Sequence, residues 1–227
     1  MSGFFEPYGE YGSEWMPLLL KAMLNTAALS VTAFALALVL GLLLSLCQRS
    51  ACAVLRQFAA AYVTVVRGVP LLAVLFLLYF GLPGIGIVFN AFGAAVVGLA
   101  LCFAAQIAEL FRAGLKAIPA GQAEAALAVG FTPTQSFQLI ILPQVARVVL
   151  SPVIVAFVSL LKDSSLASLI TVDELALTGR AMATEYFLPL QIYVAVGVCY
   201  FAIAWPFSAL SRRLAESARH HHFKARS

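Results

Sequence analysis

Five stretches of this sequence are each about as long as a helix that crosses a bilayer, which takes roughly 20 apolar residues at about 1.5 Å of rise apiece. They fall at about 18–46, 58–81, 91–111, 148–170 and 189–210. No soluble core of this size could hide them: 63% of the 227 residues are hydrophobic and only 11% are charged. With a mean hydropathy of +0.98, lipid must be the solvent for most of the surface. The expected fold is an all-α integral membrane protein with about five spans.

Lysine and arginine indicate which way the bundle faces, because positively charged connecting segments stay on the inner side. With the N-terminus outside, the inner side holds Arg49, Arg56, Arg112, Lys116, Arg147, Arg212, Arg213, Arg219, Lys224 and Arg226, ten of the fourteen. Lys21 and Arg180 fall outside, and Arg67 and Lys162 lie within spans. The acidic residues Glu6, Glu10, Glu14, Asp173, Glu174 and Glu185 take the outer side. An odd number of spans agrees, since it leaves one end of the chain on each side. Residues 1–17 thus read as an external segment, 18–213 as the transmembrane domain with 112–147 as its cytoplasmic loop, and 214–227 as a cytoplasmic basic tail. The acidic, aromatic start MSGFFEPYGEYGSEW lacks the basic region of a cleavable secretory signal, so the first apolar helix is expected to direct insertion. The tail's charges suit an anionic inner leaflet. His220, His221 and His222 could hold a metal ion, but a short terminal tract without a partner cluster does not define a site. Cys47, Cys52, Cys102 and Cys199 show neither paired nor metal-like spacing.

The loop 112–147 contains a helix–corner–helix pattern. Residues from Ala120 to Val129 are good helix formers, and Gly130 follows where a helix ends, because glycine reaches the left-handed conformation without steric cost. Thr132-Pro133-Thr134-Gln135 then opens a second helix, with Thr132 as cap, Pro133 in the first position and Gln135 completing a capping box. The expected product is a rigid elbow outside the lipid, with Ala120, Ala123 and Ala126 offering a small-residue face to another backbone. Glu124-Ala125-Ala126, Gly130, Ile140 and Leu142-Pro143 resemble, at every position, the loop signature EAA-x₃-G-x₉-I-x-LP of the membrane permease subunits of ABC-type importers. That resemblance implies that Glu124, Ala125, Ala126, Gly130, Leu142 and Pro143 dock the chain onto a cytoplasmic ATPase subunit.

Three further stretches resemble permeases for polar amino acids, with the histidine, arginine, glutamine and glutamate systems as near relatives. YVTVVRGVPLL is similar to their R-G-T-P-L-L run, with Val69 in place of threonine. Arg67 there either faces the interior or snorkels to the headgroups. QIAELFRAGLKAIPAGQ is similar to Y-x-A-E-I-F-R-G-G-I-x-x-I-P-x-G, with Gln106 for tyrosine and Ala113 for the first glycine. Gln106 and Glu109 share a helix face, and Arg112, three residues beyond Glu109, is placed to staple it. SLLKDSSLASLI is similar to S-L-L-K-D-T-S-L-A-S, with Ser164 for threonine. Lys162 and Asp163 are adjacent and so point about 100° apart, which sends one of them to another helix or a second subunit. Gln106, Glu109, Ser159, Lys162 and Asp163 are the candidates to line a substrate path, with structural glue as the alternative. In TVDELALTGRAMATEYFLP a short helix is expected at about 172–184, with Asp173, Glu174, Arg180 and Glu185 either solvated or docking an external solute-binding protein.

Taken whole, the resemblance implies the type I ABC importer permease fold, paired with an identical or sister permease, a pair of ATP-binding subunits and an external solute-binding protein in a bacterial inner membrane. Nucleic acid is not an expected partner. No G-x-x-x-x-G-K-[ST] phosphate loop occurs, so ATP and Mg are assigned to the partner ATPase, no cofactor to this chain, and the chain is not itself an enzyme. The rival reading is a secondary carrier driven by an ion gradient, with Glu109, Lys162 and Asp163 as coupling charges. Five spans without an evident inverted repeat argue against it. A cargo such as methionine or a quaternary ammonium compound would leave the machinery unchanged. A membrane-embedded enzyme is disfavoured because His, Cys and carboxylates show no ligand spacing.

Overall fold

Residues long enough and apolar enough to cross a bilayer organise the whole chain. A computed structural model describes the backbone of residues 2–224 and the side chains of residues 4–216; the side chains of His220, His221 and His222 lie outside the described residues. In order, the helices are α1 (Ser2–Glu10), α2 (Gly12–Gln48), α3 (Ala53–Gly68), α4 (Leu71–Phe76), α5 (Ala91–Ala117), α6 (Ala120–Ala128), α7 (Pro133–Gln135), α8 (Leu142–Asp163), α9 (Leu175–Tyr186) and α10 (Pro189–Lys224). A π turn over Ser136–Ile141 joins α7 to α8, and a 3₁₀ turn over Ser164–Ile170 follows α8. No strand occurs among the described residues.

Four apolar runs are long enough to span a membrane: α2, α5, the continuous run Pro133–Ile170, and α10 up to Glu216. The stretch expected as a straight second span at 58–81 is instead a bent pair. Here Ala53–Gly68 and Leu71–Ile85 meet at 104°. Pro70 has no N–H to continue the ladder and pushes the residue before it out of the helical region, and Val69 is accordingly extended at φ −100, ψ 132. Counting that pair as one span gives five. Two other limits shift. The helix expected to end near 111 runs on to Ala117, which puts Arg112 and Lys116 on α5 rather than in a loop. The segment expected as external is helical over Ser2–Glu10, and α2 already begins at Gly12.

Small residues set how closely the central pair approaches. Leu29, Ala33, Ala37 and Gly41 recur every four residues on α2 and are buried against α5, whose Ala100, Ala104 and Ala108 are fully buried. A Cβ on Gly41 would lie 2.7 Å from Ile107 Cγ2 and 2.9 Å from the Ala104 carbonyl oxygen, so only glycine permits this crossing. Asn90 caps the start of α5 by accepting from the Gly93 N–H at 2.7 Å. Around this pair, Phe157 of α8 packs edge-on against Phe34 of α2 and Phe207 of α10. Ser151 and Ser211 tie α8 to α10 reciprocally, each hydroxyl donating to the other's carbonyl at 3.0 and 3.2 Å.

The two ends of the bundle differ in character. At one end, α1, α9 and the starts of α2 and α10 meet in an aromatic cluster of Tyr8, Tyr11, Trp15 and Tyr186. Hydrogen bonds from Tyr8 to the Gln191 carbonyl (2.8 Å) and from Tyr186 to Glu14 (3.0 Å) lock that cluster. At the other end, the Arg49 guanidinium at the close of α2 lies 5.2 Å from the Phe137 ring, bringing the end of α2 against the π turn.

Candidate functional site

The elbow is held by two reciprocal caps. At the end of α6, the Gly130 N–H donates to the Leu127 carbonyl at 3.0 Å and the Phe131 N–H to the Ala126 carbonyl at 3.1 Å, the paired bonds of a Schellman motif. Gly130 supplies the left-handed residue at φ 92, as its position predicts. One residue further on, Thr132 accepts from the Gln135 N–H (3.3 Å) while Gln135 Oε1 accepts from the Thr132 N–H (2.9 Å), completing the capping box. Gln144 at the start of α8 donates to Gln122 on α6 at 3.3 Å and closes the corner. With these orphan backbone groups satisfied, the angle between α6 and the next helix is fixed by hydrogen bonds rather than by lipid or solvent.

The elbow presents its residues unevenly. Glu124 and Ala125 are exposed, as are Leu142 and Pro143. Ala126 is not: it is 5% exposed, turned inward where α6 packs on the π turn. Of the small-residue face expected on α6, Ala120 is exposed, Ala123 half-buried and Ala126 already used inside the chain. Of the Glu124-Ala125-Ala126 run, Glu124 and Ala125 thus stay on the surface while Ala126 seats α6 on its own chain.

A second polar locus lies where α3 meets α5. Arg112 binds Glu109 through both its Nε (3.0 and 3.1 Å to the two carboxylate oxygens) and its Nη2, so the staple expected from the sequence exists. Arg67, at the bend of the second apolar pair, brings its Nη1 to 4.0 Å of the same carboxylate. Glu109 is thus shared between two guanidiniums from two helices. Arg56, Thr64 and Gln48 join them around an open cavity of about 690 Å³. On sequence alone Gln48 and Thr64 are not candidates, and Arg56 counts only as an inner-side cation. The signal was present in the spacing of Arg56, Ala60, Val63 and Arg67, which share one face of α3.

The other expected path residues are not gathered with Glu109. Gln106 is exposed on α5 and Ser159 half-buried on α8. Lys162 and Asp163 are both exposed at the end of α8, and neither joins an ion pair among the described residues. Within a single chain they therefore face outward from the bundle.

The outer loop departs most from expectation. Asp173, Arg180 and Glu185 are exposed, but Glu174 is fully buried and cannot serve a docking partner. It is the N-cap of α9: one carboxylate oxygen accepts from the Ala176 and Leu177 N–H groups at 2.8 and 3.0 Å, and the other accepts from the Tyr200 hydroxyl on α10. The same turn is bound to α2, where Thr26 Oγ1 accepts from the Leu175 N–H (3.1 Å) and Asn25 donates to the Asp173 carbonyl (2.9 Å). A carboxylate taken from water survives only with such partners. Among the described residues no group of three His, Cys, Asp or Glu side chains could hold a metal ion.

A bundle of bilayer-length helices with a capped elbow at one end defines a multi-span membrane protein. The model of the family described as "Binding-protein-dependent transport system inner membrane component" matches residues 37–220, and the chain belongs to that family. It is a multi-pass inner-membrane permease component. Among its relatives, the probable amino-acid ABC transporter permease protein YckA of Bacillus subtilis (strain 168) is 39% identical over 190 residues, covering 84% of each chain. The probable glutamine ABC transporter permease protein GlnP of the same organism is 34% identical over 211 residues, 91% of this chain and 96% of that one. A solved structure described as an amino acid ABC transporter with histidines superposes at a TM-score of 0.85 with 30% identity, covering 92% of this chain and 96% of its own.

Proposed function

We propose that this chain is the membrane-spanning subunit of a binding-protein-dependent importer for a polar amino acid, worked by a separate ATP-hydrolysing subunit through the elbow Ala120–Pro143. The observation that carries this reading is the doubly capped corner at Gly130 and Thr132, in which Gly130 is a signature position and Glu124 and Ala125 stay exposed. The elbow, the α2–α3 corner and the tail face the cytoplasm, where the lysines and arginines concentrate, and α1 and α9 face outward. A second permease, identical or sister, completes the pathway. Exposed Lys162 and Asp163 then point to that subunit or to the path between the two, with Gln106 and Ser159 as further lining. Asp173, Arg180 and Glu185 remain the candidates to meet the external solute-binding protein.

In this mechanism ATP closes the two ATPase subunits, their grooves draw the elbows together, and the bundle exchanges an inward-open for an outward-open path. ATP drives the exchange only because it binds the outward state better. Energy source is the test. In proteoliposomes carrying the assembled transporter and binding protein, uptake of labelled arginine, histidine, glutamine or glutamate is expected to stop on ATP depletion and to survive a protonophore. Uptake that persists without ATP and collapses with the protonophore would assign the chain to the ion-driven carriers instead.

A further inference from the structure

The open cavity between α2, α3 and α5 is walled by three guanidiniums, those of Arg56, Arg67 and Arg112, against the single carboxylate of Glu109. A second cavity of about 380 Å³ shares Gln48 and Arg112 with it and adds Arg49 and Lys116. Five cations against one carboxylate is more positive charge than the fold needs. Arg112 spends Nε and Nη2 on Glu109, and Arg56 spends one Nη1 donor on the Ser50 carbonyl at 3.2 Å, so several fork donors of each remain for a ligand. Gln48, which lines both cavities, has a buried Oε1 with no hydrogen-bond partner. Its amide is an unused polar group that can turn either end toward an incoming oxyanion or hydroxyl.

The helix that carries two of these arginines is two-sided. Arg56, Ala60, Val63 and Arg67 lie along the cavity face of α3, and Val63 packs on Ala105 and Ala108 of α5. Val54, Phe58 and Val65 lie on the opposite face and are exposed. A helix with guanidiniums on one side and exposed apolar side chains on the other belongs at the boundary between headgroups and acyl chains, and basic pockets between membrane helices bind phosphate headgroups. We propose that the Arg56–Arg67–Arg112 cavity is a binding site for a phosphate oxyanion, its guanidinium forks holding the anion and Gln48 closing the floor. The chemistry is shared by an anionic lipid headgroup and a soluble phosphate. This inference needs only the membrane fold, and stands apart from the coupling role of the elbow.

The test is the thermal unfolding of the purified full-length transporter, since a ligand bound only by the folded state raises its apparent stability. One arm compares phosphatidylglycerol with phosphatidylcholine micelles. The other compares inorganic phosphate with chloride at equal ionic strength in phosphatidylcholine. A rise in Tm in the lipid arm assigns the site to a headgroup, and a rise only in the phosphate arm assigns it to a soluble anion. In either case the double variant Arg56→Gln, Arg67→Gln is expected to need about tenfold or more of the ligand for the same shift, because each cation near the surface carries a share of the attraction. The variant Arg56→Lys, Arg67→Lys keeps charge without the fork and is expected to fall between. Three results would overturn the proposal: no ligand-dependent rise in either arm, equal responses from the glutamine variant and the unaltered protein, or stabilisation by a transported amino acid alone, which would make the cavity part of the transport path.

Discussion

Gly130→Val is expected to leave the transporter assembled and hydrolysing ATP while uptake per ATP falls by about tenfold or more, the size of effect that follows from misplacing a positioned contact. Nothing lies within 4 Å of a Cβ built on Gly130, so added bulk meets no neighbour. The cost is conformational. At φ 92 an L-residue sits where its Cβ crowds the following carbonyl, worth about 1–2 kcal/mol and more for a β-branched side chain. The chain can relieve that strain by leaving the left-handed region, which breaks the bonds from Gly130 to Leu127 and from Phe131 to Ala126 and so frees the angle of α6. Gly130→Asn, which tolerates the left-handed region, is expected to stay coupled. Paired assays of ATPase rate and uptake measure the ratio directly. A valine variant with normal coupling would show that the corner does not set it.

Glu174→Ala is expected to lower stability by about 2 kcal/mol, combining a lost helix cap with a half-buried Tyr200 hydroxyl left without its acceptor. Asp173→Ala, one residue away and exposed, should change stability by less than about 0.5 kcal/mol. The pair separates a buried latch from a solvated charge. Burial pushes the Glu174 carboxyl above its usual range, against the hydrogen bonds from Tyr200, Ala176 and Leu177 that favour the ionised form. The folded state therefore holds this proton more tightly than the unfolded chain. The stabilisation it gives is fully present below the ordinary carboxylate value and is lost as pH rises through the raised one. Glu174→Gln keeps the cap acceptor and lacks the proton equilibrium, so its unfolding in detergent should be flatter across that window than that of the unaltered protein. A glutamine variant with the same pH slope would place the titration elsewhere.

How much of this was legible beforehand varied with the range of the interactions. The elbow could be read because its determinants are local: Gly130 and the Thr132–Gln135 box act within a turn or two of the backbone they cap. The bend at Arg67–Pro70 announced a break, since proline removes a donor, but its 104° angle depends on how α4 packs against α5. Glu174 reads as a surface charge because its main side-chain partner, Tyr200, lies on a different helix, and nothing in TVDEL reveals which acidic residue turns inward. The burial of Ala126 is hidden in the sequence for a related reason. Small residues serve equally to admit a partner or to seat a helix on its own chain, and only the packing of α6 on the π turn decides. Glu109 was the intermediate case: Arg112 at the i+3 position was visible in sequence, and Arg67, arriving from α3, was not.

The most direct measurement places a photo-crosslinking residue at Ala125 in the assembled transporter and identifies its adducts by mass. Irradiation should join this position to the ATP-hydrolysing subunit, with a yield that changes when ATP is added. Adducts to lipid alone, with that subunit still bound in the complex, would contradict the role given to the elbow.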